Sequence, residues 1–295
     1  MRTDLPASVP IDLHTHSTRS DGTYTPSELV RYASEKGLGA MALTDHDTVD
    51  GIQEALDAAD KMREAGEPAP IIVPGIELSA EYNGQDIHFV GLFQDWESPS
   101  FRTQLTDLAD SRVGRNHKMC ALLTEHGYPV TVEELEREFP DRIIARPHIA
   151  QHLVDHGLIG SVEEAFNKLI GDDCPYYIPR AKITPEEAIE LLLTYHGVPV
   201  MAHPLQYHFD TAQLEQFVGQ LADRGLRGIE VYYPTHKPAD TAALMRLADR
   251  FGLLYSGGSD FHGARKKNLD LGTGYGHLFV PGNLLEPIAR CAKAL

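Results

Sequence analysis

Five short apolar runs of this chain each end in residues of metal-ligand type, and no other feature limits its fold as much. The run from Ile11 to Leu13 delivers His14-Thr15-His16, and Ala40 to Thr44 delivers Asp45-His46-Asp47. Pro70 to Gly75 precedes Ile76-Glu77, and Val198 to Ala202 precedes His203-Pro204. Leu253 to Ser256 leads through Gly257-Gly258-Ser259 to Asp260-Phe261-His262. A further run, Asp86 to Leu92, holds His88 within it. In an extended chain residues i and i+2 share a face, so His14 and His16 can reach one ion together. One His-x-His spacing is weak evidence; its recurrence at strand ends is strong. Parallel α/β sheets and barrels gather their chemistry at the carboxyl ends of their strands. The pattern predicts a metal site of that kind.

The segments between these runs have helical starts and stops. Thr25-Pro26-Ser27-Glu28 places an N-cap, a proline at the first helical position and a glutamate at the third, and Gly37 ends the helix. Helical patterning returns from Ile52 to Glu64 and stops at Gly66. This alternation implies parallel strands covered by helices. It breaks between roughly residues 98 and 195, a mainly helical stretch with capping boxes at Thr131 to Glu134 and Ser161 to Glu164. Thr184-Pro185-Glu186-Glu187 then restarts the alternation. The expectation is an α/β barrel of about seven strands, formed by 1–99 and 181–295, with residues 100–180 as a helical insertion capping the barrel mouth. The expected strands are 11–14, 40–44, 71–76, 87–92, 198–202, 228–232 and 253–256, with later helices near 211–224 and 239–251.

Composition excludes several function classes. The formal charge of −17 argues against a basic track for long nucleic acids. It does not exclude an anionic ligand, since divalent ions add local positive charge that the count omits. No apolar run approaches 18 residues, and the first ten residues lack the basic start and apolar stretch of a signal peptide. Cys120, Cys174 and Cys291 are few and scattered, which suits a reducing cytoplasm better than a disulfide framework.

Taken together, His14-x-His16-Ser17-x-x-Ser20-Asp21-Gly22, Thr44-Asp45-His46-Asp47, Gly75-Ile76-Glu77, Ala202-His203-Pro204 and Gly258-Ser259-Asp260-Phe261-His262 resemble the motifs of the PHP family. These are the polymerase-and-histidinol-phosphatase phosphoesterases, related to the amidohydrolases. The resemblance runs from Ile11 to His262 in the family's order, and it implies a distorted (β/α)7 barrel. Two further stretches, Ala145 to Leu153 and Gly228 to His236, resemble a subgroup with a helical insertion. That subgroup contains 3′,5′-nucleotide bisphosphate phosphatases and the exonucleases called RNase AM.

The resemblance implies two or three divalent ions, manganese first, with zinc, iron(II) or cobalt as alternatives. It assigns His14, His16, Glu77 and Asp260 to one ion. A second would share Glu77 and add His88 and His203, and a third would use Asp21, His46 and His262. Mixed imidazoles and carboxylates fit such ions better than magnesium or copper(I). Asp12, Asp45 and Asp47 read as acceptors that orient the ligand imidazoles, and Glu230 as either a site residue or a structural hydrogen-bond partner. His117, His126, His156, His196, His208 and His277 carry no motif and read as surface or packing residues.

Arg146 and His148 are the expected substrate contacts, since a guanidinium forks onto phosphate oxygens and an imidazole can donate a proton. His236 is a further candidate. Arg180 and Lys182, after Tyr176-Tyr177, read as solvated charges, with a phosphate or base contact as the alternative. The implied reaction is removal of the 3′-phosphate from a 3′,5′-bisphosphonucleotide by a hydroxide held between ions, without a covalent intermediate. The expected partner is therefore a small phosphorylated nucleotide. Alternatives in order are 5′→3′ exonuclease action on short oligonucleotides, a histidinol-phosphate-type phosphatase, and a non-catalytic metal-binding regulatory module.

Overall fold

A computed structural model describes residues 3–140, 144–171, 174–178 and 183–295, apart from the side chains of 109–113. Arg180 and Lys182 lie outside the described residues. The chain divides into two compact units, 1–102 with 183–295, and 103–182.

The first unit is a nearly closed barrel of eight strands. Its order is β7 (Leu254–Gly257), β6 (Gly228–Tyr232), β5 (Val198–Met201), β4 (Gln85–Leu92), β3 (Ile71–Tyr82), β2 (Ala40–Leu43), β1 (Pro10–Asp12), β8 (Val280–Pro281). Helices α1 (Pro26–Glu35), α2 (Ile52–Glu64), α7 (Pro185–Thr194), α8 (Thr211–Asp223), α9 (Pro238–Phe251) and α10 (Leu285–Ala294) belong to the same unit. Thr25 caps α1 and Thr184 caps α7, each through a reciprocal bond with the glutamate three residues on.

In the first parallel block the apolar strands are buried on both faces. Along β2, Ala40 and Ala42 pack with Ile11, Val73 and Val200, while Met41 and Leu43 pack with Leu29 and Ala59 of the covering helices. The two-residue period sorts one strand between two cores, which is why it reads as an unbroken apolar run.

Two strands depart from the expected parallel arrangement. β4 runs antiparallel to both β3 and β5, and β8 runs antiparallel to β1. The reason for β4 is local. Asn83 and Gly84 both take positive φ, 52° and 78°, which makes a two-residue turn whose twist suits a hairpin. β8 spans only two residues, too few to show a pattern in sequence. Because β4 is reversed, the first half of its length lies at the same end of the barrel as the carboxyl ends of its neighbours. This explains how His88, inside a strand, joins side chains that end strands.

The second unit is helical. Its elements are α3 (Pro99–Glu125, from residue 103 onward), α4 (Val132–Glu138), α5 (Arg146–Asp155) and α6 (Val162–Ala165). Thr131 caps α4 reciprocally with Glu134. Ser161 caps α6 through the Glu164 amide, but the Glu164 carboxylate turns instead to the Gly160 amide. The unit has its own core, in which Met119, Leu123, Leu135, Ile149 and Leu153 are buried. Among the described residues no helix is long and apolar enough to cross a membrane.

Candidate metal centre

The barrel closes where the chain beyond β1 runs beside the chain beyond β7. Leu13 donates its amide to Gly257 O at 3.1 Å, Asp260 to His14 O at 2.9 Å, and His16 to Phe261 O at 3.0 Å. The approach needs a glycine at 258, since a Cβ there would lie 2.4 Å from His14 Cβ. This pairing sets His14, His16, Asp260 and His262 side by side. His14 and His16 are fully buried, with their Nε2 atoms 3.1 Å apart.

Glu77 stands at the middle of the cluster. Its Oε2 lies 3.3 Å from His14 Nε2, 3.2 Å from His16 Nε2 and 3.1 Å from His46 Nδ1. Its Oε1 lies 3.0 Å from His88 Nδ1 and 3.2 Å from His203 Nε2. Asp260 Oδ1 is 3.4 Å from His16 Nε2 and 3.3 Å from His262 Nδ1. Asp21 Oδ1 is 3.2 Å from His262 Nε2. All nine ligand-type residues singled out in the sequence thus converge on one end of the barrel.

The donor set fits divalent ions. Glu77 Oε2 is buried beside three imidazole nitrogens yet makes no hydrogen bond, and His16 Nδ1, His46 Nδ1 and His203 Nδ1 are buried and unpartnered too. Metal bonds of about 2.1 Å bring neighbouring ligand atoms to about 3.0–3.4 Å from one another, which is the spacing here. The donor atoms fall into three overlapping groups: His14, His16 and Asp260; His16, Asp21, His46 and His262; His46, Glu77 and His88. This grouping differs from the one the resemblance implies, because His16 and His46 each reach two groups.

Charge points the same way. Burial works against ionising Glu77, but His46, His14 and His88 hold its carboxyl well below the usual range. Burial likewise opposes Asp260, and His14, His16 and Lys266 override it. Burial also disfavours protonated His14 and His16. The surrounding carboxylates prevail, raising His14 well above its ordinary value and His16 to about 9. The pull on those protons is the pull a divalent cation would feel. Burial drives His46 down to about 3.

The supporting residues differ from the sequence expectation. The hydrogen bonds of Asp12 and Asp45 go to backbone amides and serine hydroxyls rather than to imidazoles. Asp12 accepts from the amides of His14, Ser259 and Gly272, which pins the barrel closure. Asp45 accepts from Ser17 and Ser20, which folds the loop carrying Asp21. Asp47, at φ 55°, accepts from the Ser79 amide at 3.0 Å. The carboxylate that orients a ligand imidazole is Glu230. Its Oε1 is 2.9 Å from His14 Nδ1, and its Oε2 accepts the His203 amide at 2.7 Å. A lone acid inside the apolar strand β6 was the available signal. Tyr233, not singled out in the sequence, donates its hydroxyl to Asp260 Oδ2 at 2.7 Å and so fixes which oxygen faces the imidazoles.

The expected substrate residues are placed as follows. His236 is buried in the barrel unit, its Nδ1 bonded to Val231 O at 3.1 Å and its Nε2 unpartnered. Burial lowers its pKa, so the neutral ring offers Nε2 as an acceptor, which suits a hydroxyl or amine rather than a phosphate. Arg146 begins α5 in the helical unit, donates to Ile170 O at 3.3 Å and lies over the Tyr177 ring at 5.0 Å. His148 Nδ1 accepts the Ala145 amide at 3.0 Å, which leaves the proton of a neutral ring on Nε2.

Comparison with known proteins agrees with this geometry. Residues 12–196 match the PHP domain. The chain is 33% identical over 264 residues to a 3′,5′-nucleoside bisphosphate phosphatase of Chromobacterium violaceum, covering 89% of this chain and 90% of that one. It is 32% identical over 259 residues to the 5′-3′ exoribonuclease Rnm of Salmonella typhimurium, covering 88% and 87%. A solved structure from Bifidobacterium adolescentis, provisionally assigned as a metal-dependent phosphoesterase, superposes with a TM-score of 0.74 at 29% identity over 97% of this chain and 98% of that one. With the PHP domain matched over residues 12–196 and a relative 33% identical along 89% of its length, the chain belongs to the PHP family of metal-dependent phosphoesterases.

Proposed function

We propose that this protein removes the 3′-phosphate of a 3′,5′-bisphosphonucleotide to give a 5′-mononucleotide, using two or three divalent ions, manganese first. The observation that carries the reading is the crowding of five imidazoles around the Glu77 carboxylate, with Asp21, Asp260 and His262 completing the donor set. Ions bound there would supply an acidified water for in-line attack and positive charge against the phosphate oxygens. Glu230 and Tyr233 hold the donors in place, so little reorganisation accompanies binding. Arg146 is assigned to the phosphate that is not cleaved, and its guanidinium geometry and the subgroup motif support that role. His148 is assigned to donate its Nε2 proton to the leaving oxygen or to hold phosphate, and His236 to accept from a nucleoside hydroxyl or amine. The scattered free cysteines suit a cytoplasmic setting.

A second reading is 5′→3′ exonuclease action on short oligonucleotides, favoured by the near-equal similarity to an exoribonuclease. The acidic charge of −17 favours a compact ligand over a long polyanion. The test compares kcat/KM, with manganese supplied, for adenosine 3′,5′-bisphosphate, adenosine 3′-monophosphate and a 5′-phosphorylated short RNA. Preference for the bisphosphate over both others is expected. Equal rates on the two mononucleotides would remove the two-phosphate reading, and a large preference for the RNA would make the protein an exonuclease.

A further inference from the structure

We infer that Glu138, His152 and His156 form an additional site for a divalent transition-metal ion, zinc first, within the helical unit. The three side chains offer donor atoms that all lie within 4.8 Å of one another. His152 and His156 stand four positions apart at the end of α5, so their rings share a face and stack at 4.1 Å. Glu138 is the last residue of α4 and meets both: Oε2 lies 2.8 Å from His152 Nδ1, and Oε1 lies 3.5 Å from His156 Nε2.

The second nitrogen of each ring marks this as more than an ion pair. His152 Nε2 faces Pro129 O at 3.3 Å, and His156 Nδ1 faces His152 O at 3.0 Å. A backbone carbonyl accepts only, so His156 turns its N–H to His152 O and its Nε2 lone pair toward Glu138, while His152, bonded through Nε2 to Pro129 O, also shares a proton with Glu138 Oε2 at 2.8 Å. That is how outer partners fix the tautomer of metal-ligating histidines. His156 Nε2 and Glu138 Oε1 would then be two acceptors facing each other, an arrangement that calls for a cation between them. At 3.5 Å they are too far apart for a good hydrogen bond but well spaced for two ligands of one tetrahedral ion. The His152–Glu138 contact needs to open by about half an ångström. Glu138, a third exposed, has room to move. The proton shared between His152 and Glu138 leaves when the ion enters. Two imidazoles and a carboxylate leave a fourth position for water.

Such an ion would tie the end of α4 to the last turn of α5, the helix that starts with Arg146. The test counts zinc per chain in the full-length protein at a free zinc level buffered by a competing chelator. The chains compared are wild type, H156A, E138Q and H126A as a control. Wild type and H126A should carry one zinc more than H156A or E138Q. The same difference of one should persist when H156A is made in a D260N background, which separates this ion from those of the barrel. His156 is about half exposed, so its removal leaves the fold intact. Equal zinc counts in wild type, H156A and E138Q would overturn the proposal.

Discussion

Glu230→Gln is the substitution that most directly tests how the cradle is held. Glu230 is buried and serves two donors at once, His14 Nδ1 at 2.9 Å and the His203 amide at 2.7 Å. Glutamine keeps the size but offers one oxygen and one NH2. If its oxygen takes the His203 amide, its NH2 meets the His14 N–H, and the ring must shift its proton to Nε2, the atom that faces Glu77. If the oxygen takes His14, two donors collide at His203. The first arrangement removes the Nε2 lone pair from the ligand cluster, and the second leaves a buried donor unpaired at a cost of about 1–3 kcal/mol. Loss of an outer partner of a metal-ligating histidine typically weakens metal binding or activity about 10–100-fold. Phosphate release titrated against free manganese should therefore show its midpoint raised by that factor, with a melting temperature lower by a few degrees. A lowered melting temperature with an unchanged manganese midpoint would refute the reasoning and leave Glu230 a packing residue.

Two further outcomes are expected. Arg146→Ala should raise KM for a bisphosphate by about tenfold or more, the worth of one charge-assisted contact, while metal content stays constant. Normal KM would make Arg146 an ordinary structural arginine, held by Ile170 O and the Tyr177 ring. Gly258→Ala should destabilise the barrel by about 1–3 kcal/mol or more and abolish activity, because its Cβ would meet His14 Cβ at 2.4 Å between two hydrogen-bonded backbones. A variant of wild-type stability would mean that the two closing segments part without cost.

The barrel was legible because both faces of its first parallel strands are buried and five of its apolar runs lead into residues of metal-ligand type. Ala40 to Leu43 followed by Asp45-His46-Asp47 carries both signals within eight positions. The caps at Thr25 and Thr184 were legible for the same reason, since the reciprocal bond spans only three residues. The direction of β4 was also written locally, in Asn83-Gly84, but the alternation of strands and helices on either side outweighed it. What sequence concealed were pairings between distant segments. Glu230 reaches His14 across 216 positions, and Tyr233 reaches Asp260 across 27, so nothing near either residue announces its partner. Asp12 looked like an imidazole acceptor because it precedes His14, whereas the fold turns it toward the amides of Ser259 and Gly272.

The closure of the barrel also sets an order on folding. Asp12 and Ser259 are joined by a hydrogen bond across 247 positions, and the same seam carries His14 and Asp260. A chain emerging from the ribosome displays His14, His16, His46, Glu77 and His88 long before the residues that complete the ring. Contacts of such sequence separation form late, since the entropy of closing a long loop precedes any reward from the contact. An early fragment would offer an ion only part of the proposed donor set. Full loading would then belong to the finished chain, and a bound ion would act as a latch on the last step of folding. Refolding in the presence of a chelator should consequently yield a barrel whose seam exchanges its amide hydrogens faster than its strands do.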